Sequence, residues 1–179
     1  MFNNSQLNLA VFFDNTFNDL KTLSKGIFVK NLYAIEKYSN PFQFIQSVIN
    51  NKREYGEEIN EIHLIAHGNK DAIFFGNKKF DFNELRKAKV NLENLNLEKI
   101  VLWVCGIGDN KKFIKEFGQI TGADIFSSKK IIDNRNQRTF NSVGNFINLS
   151  EITHYQFLLN WHGTLNWAQV GSDLDGESS

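Results

Sequence analysis

One cysteine, Cys105, and one proline, Pro41, are all that this sequence holds of either residue. A single thiol cannot close an internal disulfide, so an oxidising compartment is neither required nor excluded. No stretch approaches the roughly 18 consecutive apolar residues of a membrane span. The opening Met1-Phe2-Asn3-Asn4-Ser5-Gln6 lacks the basic and apolar regions of a signal peptide. Localisation therefore stays open between the cytoplasm and export by a C-terminal signal absent from this chain. Twenty Lys and Arg balance twenty Asp and Glu, which gives no support to a nucleic acid or an anionic membrane as partner. There is no Gly-x-Gly-x-x-Gly, no phosphate loop and no Gly-x-Ser-x-Gly elbow, so a nucleotide binder and a serine hydrolase both lack their motifs. Near the end, Asp173-Leu174-Asp175-Gly176 has the start of a calcium loop but not its remaining oxygen ligands. We expect no metal and no cofactor.

What is present reads as one α/β domain. The chain is 41% hydrophobic with 17 Phe, and 179 residues suffice for a sizeable core. Leu7 to Phe13 predicts a first strand ending at Asp14-Asn15, and Ile27 to Leu32 a second after Lys25-Gly26. Pro41 follows Ser39-Asn40 and precedes Phe42, Ile45 and Ile49 on one helical face, so a helix starts there and runs to about Tyr55-Gly56. A strand over Ile62–Ala66 follows, then a hairpin of Ala72–Phe75 and Lys78–Phe82 about Gly76-Asn77. Next come a helix over Asn83–Leu95, a strand over Ile100–Val104, a helix over Asn110–Ile120 closed by Thr121-Gly122, and a short strand Ala123–Phe126. Strands alternating with helices predict a mainly parallel sheet flanked by helices, a three-layer sandwich. Ser127–Asn141 reads as a loop. Tyr155, Leu158, Leu159 and His162 share helical spacing, which predicts a late helix containing His154 and His162. The domain is expected to span residues 1–165, with 166–179 a tail.

Two apolar strands end in His67-Gly68 and Cys105-Gly106. In open parallel sheets, chemistry collects beyond the carboxyl ends of the strands. Neighbouring strands lie about 4.8 Å apart, which brings an imidazole and a thiol within reach of each other. A thiol with a pKa of about 8.5 is mostly protonated at neutral pH and needs a base beside it; histidine is the natural one. The amides of Gly68 and Cys105 are candidates for holding the oxygen of a tetrahedral intermediate. His63 shares the strand but lies away from its end, as a core residue would. Taken singly, Cys105 reads more readily as a small apolar space-filler, and it is the pairing with His67 that favours the functional reading.

These residues resemble the motifs of caspase-like cysteine peptidases, the fold shared by caspases, clostripain, gingipains and separase. The resemblance is closer to a bacterial caspase-like domain of unknown function near the N-termini of large repeat-bearing surface proteins. It is carried by His67-Gly68, Ala72 to Gly76, Cys105, and Thr121-Gly122-Ala123-Asp124 with Ser127-Ser128, and covers about residues 7 to 130. The relatives usually carry Ser where this chain has Ala66, and small residues where it has Val104 and Ile107. The likeness implies a cysteine endopeptidase acting on a peptide or protein, self-processing included, through a His67/Cys105 dyad. It implies that Asp14 contributes to the pocket for the side chain before the cut, where an acid would favour Lys or Arg. Lys129-Lys130, Arg135 and Arg138 then become candidate positions for a cut in cis. The plainer expectation for Asp14 is a turn cap. The alternative function is a non-catalytic interaction module of a surface or secreted repeat protein. The tail from Trp167 to Gly176 resembles the opening of a following repeat. Oligomeric state is not legible.

Overall fold

The computed structural model describes residues 8–36 and 40–165. The expected tail, residues 166–179, and Leu7 of the expected first strand lie outside the described residues. The elements run β1 (Leu9–Asp14), α1 (Asn18–Ser24), β2 (Asn31–Ile35), α2 (Pro41–Glu54), β3 (Glu61–Ile65), β4 (His67–Gly68), β5 (Ile73–Phe75) and β6 (Lys78–Phe80). They continue with α3 (Phe82–Lys87), α4 (Lys89–Leu92), β7 (Lys99–Trp103), α5 (Lys111–Thr121), β8 (Asp124–Phe126), β9 (Arg138–Phe140), β10 (Phe146–Asn148) and α6 (Tyr155–Asn160).

Five of the strands form a parallel sheet in the order β2-β1-β3-β7-β8. Every residue of β1 is buried, which is the pattern of a strand covered on both faces. Its side chains alternate between two cores. Ala10 and Phe12 join Phe42, Ile45 and Ile49 of α2 and Phe113 and Phe117 of α5. Leu9, Val11 and Phe13 join Leu20 and Leu23 of α1 and Leu158 of α6. The protein is thus an α/β fold of three layers, a mainly parallel sheet between two layers of helices. Pro41 stands at the first position of α2, and Asn40 accepts from the amides of Phe42 and Gln43, both at 3.2 Å. That pairs a preset φ with a side-chain cap.

The chain leaves β1 for β2 on one side and returns to lay β3 on the other. The connections therefore part at the carboxyl ends of β1 and β3, the crevice where such sheets place ligands. The small antiparallel sheet β4-β5-β6 stands at this end.

Several expectations need correction. The strand expected at Ile27–Leu32 lies at Asn31–Ile35 instead. Ile27 and Phe28 pair with Thr153 and Ile152, and the sheet register begins where Asn31 meets Ala10. The Asn83–Leu95 helix is two short ones that part at Ala88. The Ser127–Asn141 loop contains β9, which pairs with β10 to bury Thr139 and Ile147. The late helix is only Tyr155–Asn160. His154 is its N-cap, and Trp161 ends it with extended backbone, so both histidines fall outside. Helix α1 was not expected at all. Its two inward leucines, three residues apart, are too few to show a period.

Candidate active site

Beyond Ile65, strand β3 continues its ladder for one more bond, Ala66 N–H to the Trp103 carbonyl at 3.3 Å. The chain then turns off through His67-Gly68 to pair with β5. Ile65 lies opposite Trp103 in the β3/β7 register, so His67 and Cys105 stand two residues beyond the last paired positions on adjacent strands. Cys105 joins Val101, Trp103 and Ile65 on one face of the sheet, and the His67 ring meets Phe17, which packs against that same face. Gly68 has no room for a side chain, because a Cβ there would overlap Val104 Cγ1 and lie 2.8 Å from the Ala72 carbonyl. Gly106 takes φ +70 against the backbone of Asn69 and Lys70. The two glycine turns are therefore packed against each other.

His67 is fully buried. Its Nε2 lies 3.2 Å from Asp19 Oδ1, and Phe17 meets the ring edge-on, centroids 4.8 Å apart. A carboxylate only accepts, so Nε2 carries the proton in the neutral ring and Nδ1 keeps its lone pair. Nδ1 is buried with no hydrogen-bond partner. The sequence reading missed Asp19 and Phe17. The available signal was an acid five residues past the end of β1, the strand that pairs with β3.

Cys105 follows β7 and opens the turn into α5, whose N-cap Asn110 accepts from Phe113 N–H at 3.0 Å. The thiol is 2% exposed. Its sulfur accepts from Ile132 N–H at 3.1 Å and lies near the Thr164 side chain and the Leu165 backbone. Burial pushes its pKa up to about 11, against the smaller pull of the Ile132 amide. Among the described residues, no hydrogen bond joins His67 to Cys105. The Gly68 amide, one of the two expected oxyanion donors, donates to the Leu165 carbonyl at 3.0 Å.

Asp14 is fully buried at the end of β1. Its Oδ1 accepts from the Thr16 amide at 3.0 Å and hydroxyl at 2.7 Å, and its Oδ2 from Gly76 N–H at 2.8 Å. Burial raises its pKa, and these hydrogen bonds oppose the rise. Asp14 thus ties the turn after β1 to the β5-β6 hairpin. His63 sits in the core: its Nδ1 accepts from the Trp103 indole N–H at 3.0 Å and its Nε2 lies 2.8 Å from Glu61 Oε1. Both ring nitrogens are engaged, so it has none to offer a substrate.

A concavity of about 1200 Å³ lies beside α5, β8 and β9 and is lined in part by Lys111, Lys115, Lys129, Lys130 and Arg138. It adjoins the Cys105 turn through Gly108 but is lined by neither His67 nor Cys105. Among the described residues, no group of three or more His, Cys, Asp or Glu is placed to hold a metal ion. No helix there is long and apolar enough to cross a membrane.

No curated protein and no solved structure matches this chain. One family model does, described as Domain of unknown function (DUF4347), and it covers residues 10–139. That span runs from β1 into β9 and includes Asp14, Asp19, His67, Gly68 and Cys105. It is well over half of the sequence, and the chain belongs to the DUF4347 family.

Proposed function

We propose that this domain is a cysteine endopeptidase of the caspase-like kind, with Cys105 as nucleophile and His67 as base. The observation that carries the reading is the state of His67. A buried imidazole with one nitrogen held by a carboxylate and the other bare is a base oriented by a third group. It stands on the sheet face shared with the thiol, one strand away. Burial keeps Cys105 protonated at rest, so His67 Nδ1 takes the proton as the sulfur attacks the carbonyl carbon. The Gly68 and Cys105 amides hold the oxyanion. The imidazolium then protonates the leaving amine, and water hydrolyses the thioester. Asp19 is a positioning residue, and Asp14 fixes the hairpin beside the site.

A second reading, a non-catalytic interaction module, is favoured by the Ile132 N–H bond to sulfur and by the near-complete burial of Cys105. Incubating the full chain with a mixed peptide library separates the two. Hydrolysis lost in both Cys105→Ala and His67→Ala supports the peptidase. A library and a chain both left uncut by the wild type would falsify it and leave the module.

A further inference from the structure

The residues after α6 return across the candidate site instead of leaving it. Trp161 takes extended backbone at the end of the helix. Gly163 then passes so close to the indole that a Cβ would lie 2.5 Å from Trp161 Nε1. The next two residues reach the thiol. The Thr164 hydroxyl is buried beside Cys105 without a partner in ordinary hydrogen-bond geometry. Leu165 is fully buried among the residues of the face that holds Cys105, Trp103 and Ile132.

The main chain of Leu165 is gripped on both sides. Its N–H donates to the Ile132 carbonyl at 3.1 Å, and its carbonyl accepts from Gly68 N–H at 3.0 Å. Ile132 in turn gives its own N–H to the Cys105 sulfur at 3.1 Å. Peptide substrates are commonly held this way, by backbone pairing with side-chain pockets between. The carbonyl lies on the amide that the peptidase reading assigns to the oxyanion, and the same residue's backbone neighbours the thiol. That is the position of the residue preceding a scissile bond.

We propose that residues 161–165 occupy this site as its own substrate, and that the domain cuts the peptide bond between Leu165 and Asn166. The inference rests on the peptidase reading above and names its substrate: an extended peptide with an apolar residue before the cut. Cys105 sulfur bonds to the Leu165 carbonyl carbon while its proton passes to His67. The C–N bond to Asn166 breaks, and the nitrogen leaves as an amine with that proton. Water then cleaves the thioester, giving the Leu165 carboxylate and the free thiol. Until that bond is cut, the segment excludes peptides in trans from the Gly68 amide.

The test is intact-mass spectrometry of the full chain during incubation at neutral pH, beside Cys105→Ala and Asn166→Pro. The wild type should separate into 1–165 and 166–179. Cys105→Ala should stay whole. Asn166→Pro should also stay whole, because the ring turns the bond into a tertiary amide crowded against attack; a thermal melt checks that each variant folds. A wild-type chain that stays whole, or is cut elsewhere, overturns the inference. If the peptide library is still hydrolysed through Cys105, only the position of Leu165 has failed. If neither the chain nor the library is cut, the peptidase reading has failed with it.

Discussion

Gly68 presses its Cα against the side chain of Val104, so closely that a Cβ would overlap Val104 Cγ1. The contact holds the His67 turn against the residue preceding Cys105. Gly68→Ala must push the two turns apart or bend the chain at the Ala72 carbonyl. Overpacking of this kind costs about 1–3 kcal/mol. We expect a melting temperature lower by several degrees, and a Gly68→Ala/Val104→Ala pair less destabilised than the sum of its single variants. Additive effects in that cycle would show that the two residues do not press on each other.

His63 gives stability a pH dependence of known sign. Burial lowers its pKa below the ordinary value near 6.5, against the raising effect of Glu61. The unfolded chain therefore takes up the proton first as pH falls. Stability is full above about pH 6.5 and is lost below it, by at most about 1.4 kcal/mol per pH unit. Denaturant melts at pH 7 and 5 should show that loss. In His63→Gln, whose amide can accept from Trp103 and donate to Glu61, the loss between those two pH values should shrink. An unchanged loss would place its source elsewhere.

The strands that carry the site were legible because β3 and β7 are largely apolar runs, each leading two residues past its end to a residue followed by glycine. The helix at Pro41 was legible from its cap and period. The partners of the site residues were not. Asp19 reaches His67 from a seven-residue helix whose two inward leucines show no period. Ile132 and Leu165 reach Cys105 from irregular segments, where burial is set by tertiary packing and leaves no local pattern. Cys105 and Ile132 are 27 positions apart, and nothing in the sequence between them signals that an amide returns to the sulfur.

The thiol of Cys105 should be sluggish in the folded chain. With a pKa of about 11, roughly one molecule in ten thousand is thiolate at pH 7. Alkylation by iodoacetamide should be slow there and still be climbing past pH 9. The same shift sets a second observable. The folded chain keeps the proton to about pH 11, while the unfolded thiol loses it near 9.0, so stability falls as pH rises through that window, by up to about 2–3 kcal/mol. Cys105→Ala should lack this component in paired urea melts at pH 8.5 and 10.5. A variant that loses stability as steeply as the wild type would mean the thiol is not the group responsible.

Asp19→Asn tests whether the carboxylate sets the state of His67. In the wild type, Nε2–H donates a hydrogen bond to Asp19 Oδ1, which leaves the lone pair on Nδ1. An asparagine turned to present its amide N–H₂ would instead need Nε2 as acceptor, moving the ring proton to Nδ1 and removing the base. Hydrolysis should fall by about 10²- to 10⁴-fold, with little change in the melting temperature. A purely structural loss would not move the proton. Nitrogen chemical shifts of His67 should therefore report Nε2–H in the wild type and Nδ1–H in the variant, and Asp19→Glu should recover part of the rate. If the ring keeps its proton on Nε2 in Asp19→Asn while activity still falls, Asp19 acts through something other than the tautomer.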